Sequence, residues 1–150
     1  MEKHINRKLL FLSLILALSI NSCNTFDDNA PSGYTESAKN IDGTWKIIKV
    51  TRNSTDITAL MDFSRFHISF HEEDNTYTID NYLPFLVKSN GTWSLDDPQY
   101  PFNLVFEETS GERFVSGFNY PVVNGKRQIS LSFSPGCKNN IYTYVFEKEN

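Results

Sequence analysis

Ile41-Asp42-Gly43-Thr44-Trp45-Lys46-Ile47-Ile48-Lys49-Val50 is the stretch from which the fold is read. It is the first strongly apolar run after a polar segment. Every later run reads as strand, turn, strand. A Gly-x-Trp at the head of a first strand suits the opening of a barrel. Its glycine lets the backbone pass where a side chain would block it. Its tryptophan supplies a large ring to close the barrel floor.

Strand one is expected over about Gly43–Arg52. Asn53-Ser54-Thr55-Asp56 is helix-capping chemistry, and Ile57, Leu60 and Met61 then share a helical face. This predicts a short helix or ordered loop over one end of the barrel, acting as a lid or as a plug. Phe66 to His71 alternates strictly, Glu72 to Asn75 is a turn, and Thr76 to Asp80 completes a hairpin. After Pro84, Phe85-Leu86-Val87 leads to a second Gly-Thr-Trp at residues 91–93, in a strand that stops near Leu95. Both triplets read as strands with a tight backbone approach.

Phe102–Phe106 is the next strand, turned back by Thr109–Glu112. Arg113–Phe118 follows, with Phe114, Ser116 and Phe118 on one face, and Pro121 ends it. Asn124-Gly125 is the strongest turn dipeptide in the chain. Arg127–Ser134 and Ile141–Glu147 are the last two strands, the second with Tyr142, Tyr144 and Phe146 on one face. About eight short strands leave no room for crossover helices, so the meander is antiparallel. The predicted fold is all-β, an antiparallel up-and-down eight-stranded barrel whose closure removes exposed edges. Two stacked sheets in a β-sandwich are the alternative.

Residues 1–22 read as a signal segment, with Lys3, Arg7 and Lys8 before an apolar run from Leu9 to Ile20. That run is too short for a transmembrane helix. Ile20-Asn21-Ser22-Cys23 resembles a bacterial lipobox. The resemblance implies cleavage before Cys23 and acylation of that residue, with several chains giving a stable anchor. Residues 23–40 are polar and aperiodic, a flexible linker. Within it, Asp27-Asp28 reads either as solvated linker charge or as the acidic cluster that sends some lipoproteins to the cell surface. The barrel domain is expected over residues 41–150.

The whole chain carries 14 Lys and Arg against 18 Asp and Glu. Removing residues 1–22 takes three basic residues and one acidic, leaving 11 against 17, a net charge of about −6. Nucleic acid, which needs a basic face, is excluded as a partner. Cys137 loses its partner if Cys23 is acylated; a Cys23–Cys137 disulfide is the alternative.

The order of features resembles the lipocalin-like lipoproteins of Gram-negative bacteria, many of them domains of unknown function. The resemblance rests on Cys23, Gly43-Thr44-Trp45, Gly91-Thr92-Trp93-Ser94-Leu95-Asp96, Phe133-Ser134-Pro135-Gly136-Cys137 and Tyr142-Thr143-Tyr144-Val145-Phe146. It covers about residues 41–148. It implies a barrel hung from the outer membrane, facing the periplasm or the cell surface.

Nothing in the chain argues for catalysis, a metal or another cofactor. His67 and His71 lie on a strand, where four residues span ~13 Å, too far to grip one zinc ion. The pairs Glu72-Glu73, Asp96-Asp97 and Glu107-Glu108 sit at strand ends, where neighbours point to opposite faces, and read as solvated turns. Cys137 has no local base beside it, and no nucleophile elbow or phosphate loop appears.

The remaining signal is aromatic: 12 Phe, 7 Tyr and 2 Trp, mostly at alternating positions. An eight-strand interior is just wide enough for side chains to fill, so these rings make either a solid core or an apolar pocket with tyrosine hydroxyls as handles. Candidate ligand-binding residues are Trp45, Phe66, Ile68, Tyr77, Trp93, Phe114, Tyr142 and Tyr144. Two functions follow as expectations. The first is non-catalytic binding of a small apolar or amphipathic ligand. The second is a structural or accessory lipoprotein docking a protein partner of the envelope.

Overall fold

The structure, a computed structural model, describes residues 35–81, 87–136 and 139–149. Glu36–Asn150 forms one compact unit. Its elements are β1 (Gly43–Arg52), β2 (Thr55–Asp56), a 3₁₀ turn (Thr58–Leu60), β3 (His67–His71), β4 (Thr76–Asp80), β5 (Gly91–Leu95), β6 (Asn103–Glu108), β7 (Arg113–Asn119), β8 (Val122–Val123), β9 (Lys126–Phe133) and β10 (Tyr142–Lys148).

Eight of these strands close a ring in the order β1-β3-β4-β5-β6-β7-β9-β10. β10 closes it by pairing antiparallel with both β9 and β1. The expected barrel has formed, and the β-sandwich alternative fails on that double pairing. The two-residue β2 and β8 hang from β1 and β9. The lower end of the barrel carries residues 36–42, the β3–β4 turn, the β5–β6 loop and the β8–β9 hairpin. The upper end carries the β1–β3 connection and the β6–β7 turn.

Alternation builds the core. Leu104 and Phe106 of β6, Ile68 and Phe70 of β3, and Ile129 and Leu131 of β9 all point inward and are buried. A fully buried residue of this size is worth about 1.5–3 kcal/mol relative to exposure. β1 breaks the period. Its register against β10 shifts between Ile47 and Lys49, a bulge that turns Ile48 outward and lets Trp45, Ile47 and Val50 all face in. The β8–β9 turn has positive φ at both Asn124 (51°) and Gly125 (77°), the pattern of a tight hairpin whose twist matches its strands.

Several boundaries differ from expectation. Phe66 and Phe102 lie just before their strands. The expected helix is reduced to the 3₁₀ turn, with Leu60 77% exposed and Met61 also exposed. The run at Phe85-Leu86, together with Cys23 and Cys137, lies outside the described residues.

Candidate functional site

The barrel interior is the candidate site, and all eight predicted ligand-binding residues face it. Trp45, Phe66, Ile68 and Tyr77 are fully buried, Trp93 and Tyr144 are buried, and Phe114 and Tyr142 pack half-buried against the same core. They are not the open walls of a deep cup. Trp45 donates its indole N–H to the Ile41 carbonyl (2.8 Å), and its ring meets Tyr120 (6.3 Å) at the lower end. At the upper end Phe63 meets Tyr144 edge-on (6.2 Å) and Phe66 meets Phe146 (6.3 Å). The β1–β3 connection is therefore a plug. It works through Phe63 and Phe66; of the predicted face Ile57 packs against the core, while Leu60 and Met61 are exposed.

A polar set lies among these rings, where β4, β5 and β6 meet. Tyr77 packs edge-on against Phe106 (5.0 Å) and Trp93 edge-on against Phe70 (5.6 Å). The Tyr77 hydroxyl and the Trp93 indole N–H are both buried and have no hydrogen-bond partner among the described residues. Buried polar groups are nearly always bonded, so two orphans in one interior are unusual. Across Gly91 from Tyr77, Glu108 is only 6% exposed. Its carboxylate accepts the Lys88 backbone N–H (2.5 Å) and, at 3.5 Å, the Ser110 hydroxyl. Burial pushes the Tyr77 phenol well above its usual range, and the Glu108 charge adds to the rise. Tyr144 is pushed up to about 12, chiefly by burial.

Glu108 corrects the reading of Glu107-Glu108 as a solvated turn. Extending the period of Leu104 and Phe106 by one step places Glu108 inside and Glu107 out. The acidic side chain masked a signal the alternation already carried.

Among the described residues the wall is thinnest here. β4 and β5 share only two register pairs, Thr76–Thr92 and Tyr77–Gly91. Above them Asn90 bridges the gap, its side-chain oxygen accepting the Ile79 N–H (3.0 Å) and its carbonyl accepting the Thr109 N–H (3.1 Å). A hollow of about 410 Å³ runs along this opening, lined by Tyr77, Asn90, Gly91 and Glu108 and also by outward-facing residues, Thr78, Thr92 and Glu107 among them.

The other residues considered from sequence do not join this site. His67 faces Glu149 (3.5 Å) on the outside of the barrel, and His71 is exposed. Asp96 organises the β5–β6 loop by accepting the Phe102 and Asn103 N–H groups (3.0 Å each). Among the described residues, no three His, Cys, Asp or Glu side chains gather closely enough to hold a metal ion. At the lower end Lys39 donates its backbone N–H to Pro98 (2.7 Å), and the Tyr120 hydroxyl donates to the Asn40 carbonyl, so both residues are bonded to the barrel. Tyr100 (60% exposed) and Phe102 (76%) project there beside a groove of about 310 Å³ that also touches Phe118 and Tyr120.

Neither curated proteins nor solved structures give a match to this chain. A protein family does match, over residues 23–147, which takes in every strand except the last residue of β10. On that match the chain belongs to the family described as Domain of unknown function (DUF5004).

Proposed function

We propose that this protein is a lipid-anchored envelope protein whose barrel binds a small amphipathic ligand and performs no chemistry on it. The observation that carries the reading is the pair of orphaned donors in the interior, the Tyr77 hydroxyl and the Trp93 indole N–H. Leaving a buried polar group unpaired costs about 1–3 kcal/mol, and a ligand's polar head would relieve it at Tyr77, whose hydroxyl oxygen can accept as well as donate. The interior is tightly lined, so the ligand is small and seats towards the β4–β5 opening. Trp45, Phe66, Ile68, Phe114, Tyr142 and Tyr144 form the apolar surround. Acyl chains on Cys23 hold the protein at the outer membrane, facing the periplasm or the cell surface.

Native mass spectrometry of the full chain purified from its own envelope tests this. The expected result is a bound small mass, or uptake from a panel of short alkyl alcohols, amines, acids and esters. Protein that is empty and takes up none of them counts against the reading.

A second reading is that the protein docks a partner of the envelope. The exposed Tyr100 and Phe102 favour it, because large exposed aromatic side chains beside a groove suit an interface. Cross-linking in cells through a residue placed at Phe102 tests it, and the absence of any stable neighbour counts against it.

A further inference from the structure

We infer that the ligand's head is cationic, a protonated amine, and that Glu108 is the group that selects it. The inference rests on the ligand-binding reading and gives its ligand a charge.

Glu108 is the inward residue at the upper end of β6. Among the described residues its donors are one backbone N–H, from Lys88, and a distant hydroxyl, from Ser110. No Lys or Arg makes an ion pair with it among the described residues. The Lys88 side chain is exposed, and only its backbone reaches the carboxylate. A buried carboxylate is costly unless a cation or several donors compensate it. Tyr77 lies across Gly91 from Glu108 and lines the same hollow, and its hydroxyl has no partner among the described residues. Glu108 also lines the hollow at the β4–β5 opening, so a ligand seated there meets its charge.

That arrangement discriminates by head group. A protonated amine gains an ion pair in a setting of low dielectric. A neutral alcohol gains only the hydrogen bond that Tyr77 offers. A carboxylate would place two like charges together in a partly desolvated wall, and is rejected. The apolar tail lies among the surrounding rings in all three cases.

Isothermal titration of the full chain with hexylamine, hexanol and hexanoate tests this. These probes are matched in tail and differ only in head. The expected order is amine over alcohol over acid, with about tenfold or more between the first and the last. Glu108→Gln keeps the shape and removes the charge, and is expected to collapse the order to within about twofold. Glu73→Gln, in the exposed β3–β4 turn and away from the hollow, is the control and is expected to leave it unchanged. Hexanoate binding as tightly as hexylamine overturns the inference and leaves the binding function standing. So does an order that survives Glu108→Gln. If none of the three probes binds, the inference and the ligand-binding reading fall together.

Discussion

Gly91 pairs with Glu108 where β5 and β6 leave no room for a side chain, and its glycine is demanded by contact. A Cβ there would stand 2.0 Å from the Glu107 carbonyl oxygen, a backbone atom that cannot swing aside. Gly43, the matching glycine of the first Gly-Thr-Trp, is demanded by its φ of +102°; the atom its Cβ would meet belongs to the flexible end of Lys148. Gly91→Ala is therefore expected to force β5 from β6 and to cost about 1–3 kcal/mol or more, read as a lowered denaturation midpoint. A stability equal to the parent's would disprove the contact. Two phenols give a pH prediction. Tyr144 is raised by burial from 10.0 to about 12, and Tyr77 is raised further by burial and the Glu108 charge. Folding holds both phenols neutral, so the stability they contribute is whole below pH 10. It is lost as pH rises through the window from 10 towards 12, because the unfolded phenols ionise first. Thermal melts across that window are expected to fall, and to fall less in Tyr144→Phe. Tyr77→Phe separates two roles. It removes a hydroxyl that has no partner among the described residues, so stability is expected to hold or rise, while affinity for the hexyl probes drops.

At the scale of elements, β1 and the β8–β9 hairpin show what could be read ahead. Strict alternation in β3, β6, β9 and β10 located those strands, because one wet face and one dry face leave a period of two in the residues themselves. The bulge in β1 also left a trace. Trp45, Ile47, Ile48 and Val50 are apolar across a change of phase, which a straight strand would not tolerate with one face buried. Asn124-Gly125 announced its hairpin through the positive φ values both residues accept. The two-residue β8, the plug by Phe63 and Phe66, and the orphaned state of Tyr77 and Trp93 were not legible. Each depends on which strands become neighbours, and no local pattern records that. Only the inward direction of Glu108 could have been found, by trusting the period over the residue type. The hairpin supplies a direct test. Gly125 has φ +77° and open space around its Cβ position, so Gly125→Ala meets only backbone strain. The expected cost is about 1–2 kcal/mol, seen as a lowered melting temperature with the fold intact.

At the scale of the whole molecule, the barrel has a strong seam and a weak one. β10 joins β1 through seven register pairs and β9 through six, so closure is well secured where the chain's first and last strands meet. β4 and β5 meet through two, and the gap above them depends on the Asn90 side chain. Local opening follows the poorest hydrogen bonding, so the wall is expected to part first at β4–β5. This is also the flank along which the hollow and Glu108 lie. On the proposed binding reading this flank would be the ligand's route to the interior; Phe63 and Phe66 pack across the upper end. Amide hydrogen exchange followed residue by residue tests the point. The Ile79 amide, which donates to the Asn90 side chain, is expected to exchange well before the amides that join β1 to β10. Saturating hexylamine is expected to slow it selectively, because a molecule bound across the opening favours the closed wall. Equal protection of the two seams would show a barrel of uniform strength and remove the opening as a route. Slowing of every amide alike would show that the amine stabilises the fold as a whole and does not act at this flank.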